Sequence, residues 1–514
     1  MTRPSLALRL LALPLMLHTA LAVEADAAQR RRAKPRPAAP APAKPVATGD
    51  ASASAETAST PAASEAPKGR ALTLAEVLAS SRQFQPQVQE AIAKVRSAEG
   101  KLLQSQGAFD TVVKAEGQSF LTGFYSGSTF AGGTVERPIE NWGGSYYGGY
   151  RFSTGRLPVY EDERFTNVVG EIKAGVALSL LRDRFIDARR FNRFSAGVDV
   201  DIADAERLIA AITVQRRAIA AYNLWVAAGL RLQVYRELLK LARERQIGLE
   251  RQVELGGRPR IILTENAQNI LRRETLVTRS EQELALAANT LSLFWRDENG
   301  QPRRPTPDML PDAFPFIPQP NGATRMALEG RPDLKALDMR IAQQTQRLAL
   351  DRNELMPRLD LKMEASQDVG PVGAGGISRR PFESKIGLSF SVPLERRAAK
   401  GRIESTSAEI DALERRRQFT REQIVAEIDG IAIDVRATDR LFMLADEEQQ
   451  RASEMAVAER RRFGAGASDF FLVNIREESA ADAAVRRLDA KFRNIVANAD
   501  LAAAAADLKA LGLE

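Results

Sequence analysis

The feature that most constrains the fold of this chain is an internal duplication. The segment that begins at Pro86 has a counterpart that begins at Pro332, and in each an apolar pattern of helical spacing gives way to an alternating one. Further on, Gly257-Arg-Pro-Arg-Ile-Ile-Leu is echoed by Gly466-Ala-Ser-Asp-Phe-Phe-Leu. Such a unit is far longer than a solenoid repeat. We therefore interpret the chain as two structural halves of the same plan, 71–320 and 321–514.

The N-terminal segment, 1–28, has the pattern of a secretory signal peptide. Arg3 and Arg9 flank an apolar run, which small residues follow. The run is too short to span a bilayer. Residues 29–70 consist mostly of Ala, Pro, Ser, Thr and charged residues. Because this composition cannot bury a core, we predict a disordered linker there.

Composition excludes several classes of function. Residues 1–70 hold 10 Lys and Arg against 5 Asp and Glu, so most of the net charge of +7 lies in the leader and the linker. The remainder is nearly neutral and gives no reason to expect nucleic acid binding. The chain has no cysteine, and its one histidine, His18, lies in the predicted signal. These absences exclude catalysis by Cys or His, and they also exclude ordinary zinc sites. We predict no catalytic, metal or cofactor site and no enzyme.

Each half contains a pair of segments in which apolar residues alternate with charged or small ones. A single strand of this kind fits a soluble sandwich as well. A set of them in an exported chain favours the lipid-out, water-in alternation of an outer-membrane barrel. We count four strands per chain, fewer than the eight or so that the smallest barrel needs, so several copies must share one barrel. The residues expected to face lipid are Ile172, Val176, Leu178, Leu359, Leu361, Ile386, Leu388, Phe390 and Val392.

The strand pair of the first half is followed by a proline-free helical stretch, 185–254, and that of the second half by another, 395–463. At 1.5 Å per residue each predicts a rod on the order of 100 Å. Between the strands of the first half, a stretch rich in Gly and aromatic residues, including Tyr146 and Tyr150, is predicted to be a long loop.

Each rod ends at a glycine-containing turn, which we call its tip. Glycine reaches positive φ without strain, and proline or Ser-Asp pairs suit the start of a return helix. Exposed tips are natural places for another protein to dock. The predicted tip residues are Gly256, Gly257, Pro259, Gly464, Gly466, Ser468 and Asp469.

In their order and duplication these features resemble the TolC-like outer-membrane efflux proteins. The resemblance covers about residues 71–514. It rests on Leu72-Thr-Leu-x-Glu76, Arg331-Pro-Asp-Leu334, Ser391-Val-Pro-Leu394 and Gly464-Ala-Gly-Ala-Ser-Asp469. It implies an α+β fold in which duplicated long helical hairpins form a tunnel and four strands per chain enter a trimeric transmembrane β-barrel.

The resemblance also implies a location and partners. The protein would be a homotrimer in the cell outer membrane, in contact with lipid, with its tunnel in the periplasm. A periplasmic adaptor, or membrane fusion protein, and an inner-membrane pump would dock on it. The function implied is a passive export channel of a tripartite efflux or type I secretion system. The alternative is a soluble periplasmic coiled-coil scaffold or adaptor, whose rods look similar but which needs no lipid-facing strands.

The sequence departs from the family at the tunnel entrance. Some members carry carboxylates about six and nine residues after the tip glycine. In this chain those positions hold Leu472 and Ile475 in the second half and Leu263 and Asn266 in the first. Phe463 stands where the family has a tyrosine. We therefore expect no acidic gate.

Overall fold

A computed structural model describes residues 70–157, 165–372 and 382–514. The predicted signal peptide lies outside the described residues, and so does the predicted linker, with the exception of Arg70. The described residues all lie in one compact unit, Ala62–Glu514.

The described part of the first half contains four α-helices and four strands. In chain order they are α1 (Leu74–Phe84), α2 (Pro86–Gln106), β1 (Val112–Ser119), β2 (Thr129–Pro138), β3 (Gly144–Thr154), β4 (Gly170–Ser179), α3 (Ala188–Glu254) and α4 (Ile261–Ser292).

The second half repeats this order with one strand pair fewer. Its elements are α5 (Ala323–Gly330), α6 (Pro332–Asn353), β5 (Arg358–Val369), β6 (Phe382–Ser391), α7 (Arg397–Gly464) and α8 (Phe470–Ala504). Thus α3 corresponds to α7 and α4 to α8, while the hairpin of β2 and β3 has no counterpart among the described residues of the second half.

Local signals set several of the helix starts. The Thr73 hydroxyl accepts a hydrogen bond from the Glu76 amide at 3.3 Å, and the Thr73 amide donates to the Glu76 carboxylate at 3.1 Å. This capping box starts α1. Pro86 occupies the first turn of α2, where its missing N–H costs no helical hydrogen bond. The Asp187 side chain accepts from the Arg190 amide at 2.9 Å and starts α3.

The helices pack around α3, which contacts α1, α2, α4, α6 and α8. Halfway along it Trp225 is fully buried, and the Tyr222 hydroxyl donates to the Leu72 carbonyl at 2.7 Å. The two longest helices have 67 and 68 residues. Each is therefore about 100 Å long. Among the described residues, no helix has both the length and the hydropathy needed to cross a membrane.

The strands form one antiparallel sheet in the order β1-β2-β3-β4-β5-β6. The two halves meet where β4 pairs with β5, with Val176 opposite Met363. The α+β fold class is therefore confirmed. The predicted count of four strands per chain is wrong, because the described part of the sheet has six.

The two additional strands lie in the stretch that was predicted to be a loop. Tyr146 and Tyr150 belong to β3, and β2 pairs with β3 from Thr129 to Pro138. Glycines obscure the alternation there, because they take the place of apolar and polar side chains alike. Close strand packing explains one of them: a Cβ added to Gly149 would lie 2.7 Å from the Gly133 carbonyl oxygen.

Candidate functional site

The first tip joins α3 to α4. Gly256 has φ 73°, in the left-handed region. Its amide donates to the Val253 carbonyl at 3.0 Å, and the Gly257 amide donates to the Gln252 carbonyl at 2.8 Å. These two bonds form a Schellman motif, which satisfies carbonyls that the helix end leaves open.

The second tip, between α7 and α8, has the same geometry. Gly466 has φ 75°, its amide donates to the Phe463 carbonyl at 3.0 Å, and the Ala467 amide donates to the Arg462 carbonyl at 2.8 Å. Gly466 therefore corresponds to Gly256, and Ala467 to the other glycine of the first tip. The two tips therefore share the same pair of backbone hydrogen bonds.

Two of the predicted tip glycines do not use positive φ. Gly464 is the last residue of α7, and Gly257 follows the left-handed residue of its turn. A Schellman motif needs only one left-handed residue, so these two glycines take part in their turns without positive φ.

The return helices start differently. The Asp469 carboxylate accepts from the Leu472 amide at 2.7 Å and caps α8. The Ser468 hydroxyl donates to the Glu459 carboxylate, which ties the turn back to α7. The helix α4 begins at Ile261, two residues after Pro259, and has no side-chain cap.

The two tips touch each other. Leu249, Ile262 and Phe470 are buried in one small cluster, against which Phe463 packs. The Arg258 guanidinium lies 5.4 Å from the centre of the Phe463 ring. Of the positions where some family members carry carboxylates, Asn266 is fully buried and donates to the Gln246 side chain at 2.7 Å. The first hairpin therefore cannot present an acidic ring at that position.

The outer surface of the tips carries exposed apolar and basic side chains. The most exposed apolar side chains are Leu255, Ile261, Phe471 and Ile475, with exposures of 59% to 87%. Phe471 and Ile475 are four residues apart and lie on the same face of α8. Arg461 and Arg462 are also exposed, on the last turn of α7. Ile475, which stands at a position where some family members carry a carboxylate, is thus part of an exposed apolar patch.

About 15 Å from the first tip, counted along α3, lies a buried charged cluster that sequence reasoning missed. The Glu477 carboxylate of α8 forms ion pairs with Arg245 of α3 and Arg273 of α4. The Arg273 side chain is 1% exposed and also donates to the Leu238 carbonyl at 2.6 Å. Burial lowers the pKa of Arg273, and the charge of Glu477 opposes that shift. The ion pairs of this cluster link α3, α4 and α8.

The second candidate site is the outer face of the sheet. Leu178, Leu361 and Leu388 lie opposite one another in the registers of β4, β5 and β6. The residues predicted to face lipid share this face by register and alternation: Ile172, Val176, Leu178, Leu359, Leu361, Ile386, Leu388, Phe390, and Val392 just beyond β6. Ile386 is 76% exposed.

The face continues across the strands that the sequence analysis missed. Tyr146 lies opposite Val176, Tyr150 lies opposite Ile172, and Val135 of β2 lies opposite Val113 of β1. The opposite face is polar. There the Lys114 ammonium lies 2.8 Å from the Glu136 carboxylate, and the Arg151 guanidinium pairs with Glu171. The described sheet thus exposes an apolar side, on which Arg137 near the end of β2 is the one charged residue within the strands, and carries its other charges on the opposite side.

Similarity to known proteins agrees with this architecture. Residues 323–511 match the family described as outer membrane efflux protein. This match lies in the second structural half of the chain. None of the curated proteins matches the chain. The family match, together with the solved structures described next, confirms the resemblance to the TolC-like outer-membrane efflux proteins.

Solved structures share the fold along nearly their whole length. A membrane protein from Pseudomonas aeruginosa has a TM-score of 0.58 at 14% identity, with 87% of this chain and 96% of that chain covered. The outer membrane protein VceC from Vibrio cholerae has a TM-score of 0.57 at 14% identity, with 86% and 97% covered. The open state of the Neisseria gonorrhoeae MtrE outer membrane channel has a TM-score of 0.58 at 15% identity, with 86% and 89% covered.

These findings support the location and the broad function of the protein. The predicted location in the outer membrane is confirmed, and the protein is an outer-membrane export channel. The family and its structural neighbours are channels, in line with the prediction that the chain is not an enzyme. Within the described residues, no group of three or more Cys, His, Asp and Glu side chains is placed to hold a metal ion.

Proposed function

We propose that three copies of this chain form a passive export duct that crosses the outer membrane and reaches far into the periplasm. The observation that carries the proposal is the sheet whose exposed face is apolar and whose other face is charged, joined to helices of 67 and 68 residues. A soluble protein arranges its sheet the other way, with the apolar face covered.

The free edges of the sheet support an assembly of several copies. Within the described residues, β1 and β6 have a neighbour on one side only. An open edge leaves unsatisfied backbone groups, which cannot remain unpaired in lipid. Six alternating antiparallel strands place β6 of one copy antiparallel to β1 of the next, so the same joint can repeat around a closed ring.

The long helices explain where the cargo enters. Rods of about 100 Å separate the tips from the sheet. A ring of such hairpins makes a tunnel with its entrance far from the outer membrane, so that cargo need not be released into the periplasm. The duct itself supplies no energy, and an inner-membrane pump would drive transport in a tripartite efflux or type I secretion system.

The tips are the proposed docking site for the periplasmic adaptor. Their exposed apolar and basic side chains offer both contact area and charge, while the buried cluster of Arg245, Arg273 and Glu477 holds the hairpins rigid behind them. The tip residues Gly256, Gly257, Pro259, Gly464, Gly466, Ser468 and Asp469 would set the shape of this surface.

Fractionation of cells that produce the protein tests the duct. We expect detergent-extracted outer membranes to contain a trimer that dissociates on heating, and planar bilayers containing it to conduct ions. A monomer that stays soluble without detergent would instead support the alternative, a periplasmic coiled-coil scaffold or adaptor, and would overturn the duct.

Docking needs a separate test, because a trimer can form without it. The Gly257→Trp and Ala467→Trp variants add bulk at corresponding positions of the two tips, where positive φ is not required. We expect trimers of each to assemble while adaptor pull-down and export fall. The matched control is Phe316→Trp, because Phe316 is 88% exposed and lies in the connection between the two halves. Unchanged pull-down and export in both tip variants would rule the tips out as the docking site.

A further inference from the structure

We propose that the hairpin of β2 and β3 is part of the membrane wall, so that the assembly is a barrel of eighteen strands with a wide mouth for bulky cargo. The inference rests on the proposed trimer, because three copies of a six-stranded sheet give eighteen strands. The strand count implied by the resemblance, four per chain, would give twelve.

The hairpin spans the same height as the strands beside it. Its strand β3 pairs with β4 from Gly144 opposite Leu178 to Arg151 opposite Glu171. This register covers nearly the whole of β4. A hairpin that projected beyond the membrane would instead pair with β4 only near one end.

The turn of the hairpin is fixed at the start of the long helix. The Gly143 amide donates to the Arg184 carbonyl at 2.9 Å, and the Arg190 guanidinium donates to the Asn141 carbonyl at 3.2 Å. A Cβ added to Gly143 would lie 2.0 Å from the Asp183 carbonyl oxygen, so the turn sits directly on the backbone there. The turn is therefore at the tunnel end of the sheet, and the hairpin crosses from there to the opposite end.

Length and alternation agree with a membrane crossing. The strands β2 and β3 have 10 and 11 residues, and β4 has 10. A transmembrane strand needs about 9 to 11. On the outer face β3 carries Tyr146, Tyr150 and Phe152, all exposed. On the inner face β2 carries Glu136, which accepts a hydrogen bond from the Ser145 hydroxyl at 3.0 Å.

The consequence is a wider lumen. Barrel diameter grows roughly linearly with strand number, so at equal tilt eighteen strands enclose a mouth about half again as wide as twelve do. Its cross-section is then about twice as large. A barrel of this size is in the range that leaves an aqueous channel, and it suits cargo too bulky for a narrower wall.

Cysteine labelling tests where the hairpin lies, since the chain has no cysteine of its own. Trimers in outer-membrane vesicles are treated with a water-soluble maleimide. On β2 we compare Val135→Cys, on the outer face, with Thr134→Cys, on the inner face. On β4 the references are Val176→Cys and Lys173→Cys. We expect the Thr134→Cys and Lys173→Cys variants to be labelled, and labelling to be lost at the two valine positions.

Labelling of Val135→Cys to the level of Thr134→Cys, with Val176→Cys still protected, would place the hairpin outside the lipid and overturn the inference while the duct stands. Protection of both β2 variants would remove the hairpin from the lumen and overturn it as well. Labelling of Val176→Cys would contradict the duct itself.

A deletion measures the width. A short linker of Gly and Ser replaces residues 122–167, which leaves β1 and β4 antiparallel and adjacent. We expect the radius of the largest polyethylene glycol that enters the channel from the outer side to fall by about a third or more. An unchanged cut-off in an assembled trimer would overturn the wider wall. If the deleted variant does not assemble, the labelling experiment decides alone.

Discussion

At the scale of single residues, the Glu477 carboxylate serves two guanidinium groups that have almost no access to water. The Glu477→Gln change keeps the shape of the side chain and removes the charge, which leaves Arg245 and Arg273 without a counter-ion. We expect a loss of about 3 to 5 kcal/mol in the free energy of unfolding, because uncompensated buried charge is costly. Urea unfolding of the detergent-solubilised protein, followed by helical circular dichroism, measures it.

The adjacent residue provides the matched control for that change. Glu478 lies 3.8 Å from Arg272, whose side chain is 73% exposed. Glu478→Gln should cost less than about 1 kcal/mol, since exposed pairs contribute little. Replacing Arg245 and Arg273 by Met and Glu477 by Leu together should restore most of the stability. Equal effects of the two single changes would show that the ion pairs contribute nothing beyond surface charge.

The tip glycines allow a second prediction. Gly466→Ala places a Cβ on a residue with φ 75°, at a cost of roughly 1 to 2 kcal/mol in unfolding free energy. Gly464→Ala, at the last residue of α7, should be neutral or slightly stabilising, because alanine favours helix. An added Cβ meets nothing within 4 Å at either position, so conformation alone separates the two. Thermal unfolding midpoints that do not differ would contradict the Schellman geometry.

At the scale of elements, the start of α8 depends on one cap. Asp469→Ala removes the acceptor of the Leu472 amide and should destabilise the second tip by roughly 0.5 to 2 kcal/mol. Asp469→Asn keeps an acceptor and should retain most of the stability. Hydrogen exchange in the first turn of α8 is the measurement. Faster exchange in both variants alike would mean that charge, and not the hydrogen bond, starts the helix.

Local signals in the sequence mark the starts of several helices, whereas contacts that depend on long-range packing leave no such signal. The capping box at Thr73, the proline at Pro86 and the cap at Asp469 mark helix starts within a few residues of sequence. Strands β2 and β3 were not predicted, because their glycines interrupt the alternation of apolar and polar residues. Their pairing becomes visible only in the folded sheet. In the sequence, Arg273 and Glu477 look like ordinary charged residues of a solvent-exposed helix, because no local pattern shows that α3, α4 and α8 pack together around them.

At the scale of the whole molecule, the orientation of the sheet decides whether the protein enters a membrane. Ile386 lies in the middle of β6 on the apolar face, and Ser389 lies three residues further on the polar face. Ile386→Arg puts a charge against lipid, at a cost of about 2 to 4 kcal/mol near the midplane. Ser389→Arg puts the same charge against water.

We therefore expect Ile386→Arg to reduce the amount of heat-dissociable trimer in the outer-membrane fraction and Ser389→Arg to leave it close to that of the unmodified protein. Quantitative blotting of unheated and heated samples gives both amounts in one experiment. Both substitutions add the same side chain to the same strand, so a general effect on folding or export would lower both alike. Only a wall with lipid on one side and water on the other separates them, and the reverse order would place the lumen on the apolar side.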